Sequence, residues 1–118
     1  MIGAAVVALA TVAWAVRRTE VVGTSMAPTL DPGDRVVVVR LPRWWRLAPG
    51  QLVAVPDPRV PSRLLVKRVA AVSGPTAEVR GDNEAASTDS RHFGPVSRRR
   101  VVGRVLYRYA PAGRTGRL

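Results

Sequence analysis

The sequence predicts a mainly β chain, a small domain of antiparallel strands preceded by one N-terminal transmembrane helix. Short runs rich in Val and Leu alternate with turn-forming clusters, among them Asp31-Pro32-Gly33-Asp34 and Ser73-Gly74-Pro75. Aromatic residues make up 5% of the chain against 47% hydrophobic residues, so the core must be built from Val, Leu and Ala. An uncharged apolar run, Ile2 to Val16, opens the chain and stops at Arg17-Arg18. With 118 residues there is room for one small domain.

As a helix the opening run is about 22 Å long, short of the roughly 30 Å hydrocarbon core, and it spans only with local thinning or snorkelling arginines. It reads as an uncleaved anchor. A cleavable signal peptide competes, because Ala13-Trp14-Ala15 loosely resembles a cleavage site, but the charged leading region is missing. A helix lying on the membrane lacks the polar face it needs. The organisation expected is an anchor over residues 1–18, a folded domain over 19–110 and a flexible tail over 111–118.

Strands are expected at Arg35 to Arg40, Gln51 to Pro56, Arg63 to Val72, Ala77 to Arg80 and Val101 to Tyr109. The four valines at 36–39 predict burial on both faces of their strand. Leu41 to Gly50 is a loop whose Trp44 and Trp45 sit between Arg43 and Arg46; this suits a membrane interface, or an indole packed in the core. Asp57-Pro58-Arg59-Val60-Pro61 is a stiff connection. Gly81 to Val96 is polar and rich in turns.

The net charge of +11 fits nucleic acid or an anionic membrane, yet no zinc pattern, helix-turn-helix or stacking strand accompanies it, and no nucleic-acid partner is expected. The absence of cysteine excludes disulfides and thiolate chemistry. No metal or cofactor is implied, and the single histidine, His92, reads as a surface residue.

Ser25, in a turn after Gly23, and Lys67, in the alternating run LLVKRVAAV, are the candidate reactive pair. Of the 19 basic residues all but Lys67 are arginine, although biased genome composition also produces such usage. Arginine keeps its proton, whereas a buried ammonium can lose it and act as a base. A strand places Leu65, Lys67 and Val69 on one face, giving the amine apolar neighbours. The pair reads as nucleophile and base. Taken alone, the same residues also fit an ordinary turn serine and a snorkelling lysine.

Gly-Thr-Ser-Met-Ala-Pro-Thr-Leu at 23–30, Gly33-Asp34-Arg35-Val36, Lys67-Arg68-Val69 and Gly81-Asp82-Asn83 running on to Ser87 and Asp89-Ser90-Arg91 together resemble the ordered motifs of the type I signal peptidases. The resemblance implies a membrane-tethered Ser/Lys endopeptidase with a fold like that of signal peptidases and self-cleaving repressors. Its implied partners are a lipid membrane and a precursor protein with an N-terminal leader. It casts Ser25 as nucleophile, Lys67 as base and Ser87 as the residue orienting the amine. Asp82, Asn83, Asp89 and Arg91 become structural residues of the loop, Asp89 and Arg91 as an ion pair. Ser25 and Gly23 lie where the oxyanion is held; some members carry a hydroxyl at the position of Gly23. Met26 and Pro28 are substrate-pocket candidates.

The chain also departs from the family. There is no room for the domain inserted after the lysine strand in larger members, and the usual Gly-x-Pro-Gly-Asp is reduced to Ala71-Val72-Ser73-Gly74-Pro75. The short core and the wording of residues 81–96 look most like the actinobacterial proteases associated with nickel-type superoxide dismutase maturation. Removal of secretory signal peptides is the competing reading. The catalytic domain of a typical member faces outward, whereas positive residues following the anchor favour the cytoplasmic side. A self-cleaving repressor would need an Ala-Gly bond upstream of Ser25, and the chain's Ala112-Gly113 lies in the tail. A noncatalytic basic membrane or nucleic-acid module leaves the serine block and the lone lysine unexplained.

Overall fold

Leu52–Pro56 is apolar throughout and buried at every position but the last, and it forms the middle of the sheet, where both of its faces are covered. The computed structural model describes residues 16–40, 42 and 45–118. Among these, the strands are β1 (Val16–Glu20), β2 (Arg35–Val39), β3 (Leu52–Pro56), β4 (Leu64–Ser73), β5 (Thr76–Arg80), β6 (Val96–Ser97), β7 (Gly103–Ala110) and β8 (Gly116–Arg117). One short helix, α1, spans Ser90–Phe93. The sheet order is β1-β2-β7-β3-β4-β5-β6, with β8 added beside β7, and every pairing is antiparallel.

Period-two alternation sorts the core into two clusters. Leu52, Ala54 and Val66 join Val36, Val38, Met26, Leu30 and Val105 on one side. Val53, Val55 and Val69 join Val79, Ala77, Val96 and Leu47 on the other. The alternation expected around Lys67 holds, since Leu64 and Val66 pack with the first cluster and Leu65 and Val69 with the second.

Three expectations are corrected. In β2 only Val36 and Val38 are fully buried, while Val37 and Val39 are half-buried. Burial on both faces belongs to β3, because β2 lies one strand from the sheet edge, beyond the reach of the second cluster. Arg17 and Arg18, assigned to the end of the anchor, lie in β1, paired with Val38 and Val37, and the Arg18 guanidinium sits 5.8 Å from the centre of the Tyr109 ring. Residues 111–118, expected as a flexible tail, form a 3-10 turn at Ala112–Arg114 and then β8, with Leu118 packed on the first cluster. The Arg114 guanidinium binds Asp34 at 3.1 Å and Asp31 at 3.0 Å, so the end of the chain is tied to the turn before β2.

Among the described residues no helix is long and apolar enough to cross a membrane. The rest of the expected anchor, residues 1–15, lies outside the described residues, as does Trp44. Trp45 is half-buried, its backbone N–H donating to the carbonyl of Pro42.

Candidate active site

Lys67 enters the site from the middle of β4, on the strand face shared with Leu65 and Val69, and only 2% of it is exposed. Its Nζ donates to Ser87 Oγ at 3.0 Å. Burial lowers the pKa of the amine; the charge of Asp89 opposes that shift and Arg59 adds to it.

The partners of Ser87 fix how it can serve the amine. Its hydroxyl gives its one proton to Asp89 Oδ2 at 2.6 Å and accepts from Lys67 and from the backbone N–H of Gly81 at 3.1 Å. Toward Lys67 it is therefore an acceptor. It takes an N–H of the amine and leaves the lone pair of a neutral amine free to point elsewhere.

Asp89 is fully buried. Burial alone would raise its pKa, but hydrogen bonds from Arg91, Ser87 and the backbone of Gly81 and Arg91 outweigh it and hold the carboxyl well below the usual range. The Arg91 fork closes on both carboxylate oxygens, at 3.0 and 2.7 Å, and also reaches Glu84 at 2.7 Å. Asp89 caps α1 as well, accepting from the Arg91 N–H while His92 Nδ1 accepts from the Asp89 N–H. His92 is thus a surface capping residue, as its flanking residues suggested.

The serine turn is tied to the loop that follows β5. The Asn83 N–H donates to the Ser25 carbonyl at 2.8 Å, and Asn83 Nδ2 to the Thr24 carbonyl at 3.0 Å. Asp82 binds Thr29 Oγ1 at 2.6 Å and accepts the Arg68 fork, at 2.8 Å on each oxygen. Gly81 must be glycine, because a Cβ there would come within 2.3 Å of Ser87 Oγ and 2.6 Å of the Ser25 carbonyl oxygen. Gly-Asp-Asn is therefore the joint at which the serine turn and the Ser87 network meet.

A cleft of about 470 Å³ runs between the serine turn and the start of β4, and both Ser25 and Lys67 line it. Gly23 lies on the same wall with φ of 81°, a backbone conformation that suits glycine. The two pocket candidates divide. Met26 forms part of the cleft floor, but it is 1% exposed and its Sδ accepts from the Asp82 N–H at 3.4 Å, so it serves mainly as a core anchor. Pro28 is exposed and does not line the cleft, because its turn faces it outward. A larger hollow of about 640 Å³ is walled by Pro42, Leu47, Pro75 and the Arg98–Arg99 turn. Its serine, Ser97, accepts from the Arg99 N–H, and no base lines the hollow among the described residues, so the smaller cleft is the candidate site.

Residues 1–82 and 76–110 match the family described as signal peptidase, peptidase S26. The chain belongs to this family. It is 36% identical to the mitochondrial ATP-independent inner membrane protease subunit 1a of Arabidopsis thaliana, over 79% of this chain and 70% of that protein. It is 30% identical to the mouse mitochondrial inner membrane protease subunit 1, over 75% and 66%. With the chloroplastic thylakoidal processing peptidase 1 of A. thaliana it shares 28% identity, over 75% and 40%. This S26 protein is accordingly a serine endopeptidase with signal-peptidase-like processing activity, related to membrane-associated proteases.

Sequence reasoning missed two parts of the S26 domain. Asp57-Pro58-Arg59 is more than a stiff connection: Asp57 is fully buried and grips Arg59 with both oxygens at 3.0 Å, beside the cleft. Arg68, which strand alternation places on the face of Leu64 and Val66, does more than continue the motif Lys67-Arg68-Val69. An arginine directly after the lysine must face the other side of β4, and there it anchors Asp82 and the Gly50 carbonyl.

Proposed function

We propose that the chain is a Ser/Lys-dyad leader peptidase in which Ser25 attacks the scissile carbonyl and Lys67 is the general base. The observation that carries this is the buried Nζ of Lys67, held 3.0 Å from Ser87 Oγ in a cleft that Ser25 also lines. Lys67 takes the Ser25 proton as the new C–O bond forms and gives it to the leaving amine as the C–N bond breaks. Water then attacks the acyl-enzyme, Lys67 again removing the proton and Ser25 leaving with it restored. The backbone N–H of Ser25 supports the oxyanion, with Gly23 leaving room for the carbonyl to approach.

The substrate favoured is the precursor of a nickel-type superoxide dismutase. The short core and the wording of residues 81–96 support it, as does a domain facing the cytoplasm, the side favoured by the arginines after the expected single-pass anchor. The second reading is signal peptide removal from secreted preproteins, which the family membership favours. Purified protein offered both precursors separates them. Cleavage of the dismutase precursor alone is expected, and it should vanish in Ser25→Ala and in Lys67→Ala; cleavage that survives either change excludes the dyad. Protease added to intact protoplasts tests the orientation, since digestion of the domain from outside refutes a cytoplasmic one.

A further inference from the structure

The cleft is bordered by backbone that lacks a partner strand. Among the described residues β1 pairs only with β2, and the pairing of β4 with β5 begins at Arg68, so Leu64 to Lys67 pair on one side alone. An extended peptide entering there can bond to strand edges and send alternate side chains to opposite walls.

Those walls are basic. Arg17 stands on the β1 side, and Arg59 and Arg63 on the side leading into β4. Arg59 is already neutralised by Asp57. Arg17 and Arg63 are exposed and make no ion pair among the described residues, although the charge of Arg63 also acts on the buried Asp57. The one acidic residue lining the cleft among the described residues, Glu20, lies 4.0 Å from Arg35. We infer that Arg17 and Arg63 make the cleft selective for leader segments with an aspartate or glutamate within a few residues of the scissile bond. This deepens the dyad reading and rests on it.

The same chemistry limits where the acid can sit. An anion directly beside Lys67 would favour the protonated amine and remove the base. The preference therefore falls at positions facing the arginines, removed from the bond that is cut. Apolar flooring by Met26, Leu64 and Val66 strengthens the attraction over what two exposed charges achieve in water.

The test is a set of quenched peptides built on one cleavable leader sequence, with Asp, Asn or Lys placed in turn at each position around the scissile bond. kcat/KM is measured for the full chain in detergent at low and high salt. Peptide binding is read by anisotropy in Ser25→Ala, so that recognition is seen even where turnover is not. At one or two positions Asp should exceed Asn by about fivefold and Lys should fall below it, with the gap narrowing in high salt. Arg17→Glu with Arg63→Glu should reverse the order, and the milder Arg63→Gln should reduce it. Asp, Asn and Lys peptides bound and cleaved within twofold of one another, or an unchanged order in the charge-reversed variant, overturns the inference. Turnover that persists in Ser25→Ala sinks the dyad instead, and the binding series still reports on the arginines.

Discussion

Asp34 and Asp89 are both buried aspartates gripped by arginine, and they are put to different ends. Asp34 accepts from the Asp31 N–H, from Arg108 at 3.2 Å and from Arg114 at 3.1 Å. Its bonds join the turn before β2 to the last strands, and none touches a group that has to change its protonation. Asp89 spends most of its capacity in the same way, on Arg91 and the Gly81 N–H, but one bond comes from Ser87, and Ser87 meets Lys67. A buried carboxylate is thus a clamp when all its partners are cations and backbone, and under the proposed dyad an aiming device when one partner is a hydroxyl that touches the base.

The largest effect expected is on turnover. Lys67→Met should reduce cleavage by about four orders of magnitude, as loss of a base in such a unit does. Melting should stay at or above the wild-type temperature, because the lowered pKa of Lys67 means that burial opposes its charged form. The sign follows from linkage: below the unfolded value near 10.5 the unfolded chain binds the proton more readily, so the lysine detracts from stability there and detracts less as pH rises. Calorimetry from pH 6 to 10 on both proteins checks this; a clearly lower melting temperature for the methionine variant at pH 7 would contradict it.

Next come the two aspartates. Asp34→Asn and Asp89→Asn should each destabilise by about 1–3 kcal/mol, since each buried carboxylate loses its charge-assisted bonds from partly exposed arginines. Only Asp89→Asn should also move the rising limb of the pH–rate profile. The limb should shift toward lower pH, because the charge that favours protonated Lys67 is gone, and the plateau should drop as Ser87 loses its orientation. Equal limbs in the two variants would erase the distinction drawn here. Both wild-type carboxyls lie below their ordinary value of 3.8, so their stabilisation is complete above that pH and is lost as pH falls through the lower folded values. Acid unfolding should accordingly set in below about pH 4 and be blunted in either variant.

The smallest effect concerns the clamp side alone. Removing residues 111–118 takes away β8, the Leu118 packing and the Arg114 contacts to Asp34 and Asp31. Melting should fall by roughly 5–10 °C, while the pH–rate limb stays in place. A shifted limb would mean that the two regions communicate.

Much of the fold and site could be read from the chain itself. The strands from β2 to β5 follow from valine and leucine alternation between turn signals, and Lys67 stood out because every other basic side chain is arginine. The face it occupies followed from counting by twos. β1 was hidden because Val16–Glu20 carries two arginines and a glutamate and has no apolar alternation; as an edge strand it needs only backbone pairing with β2. The tail was hidden for a related reason. Its proline, glycines and arginines look unstructured until Asp34 and Asp31 are brought within 3.1 Å of Arg114.

By itself the sequence determined what is local: strand period, turn positions, and one amine able to give up its proton. Tertiary structure decided what depends on residues far apart in the chain. It buried Lys67, made Ser87 an acceptor by giving its proton to Asp89, and bound the serine turn to Asn83 across the fold. A pattern of side chains states which groups can react, but desolvation and hydrogen-bond direction exist only once distant segments exclude water together.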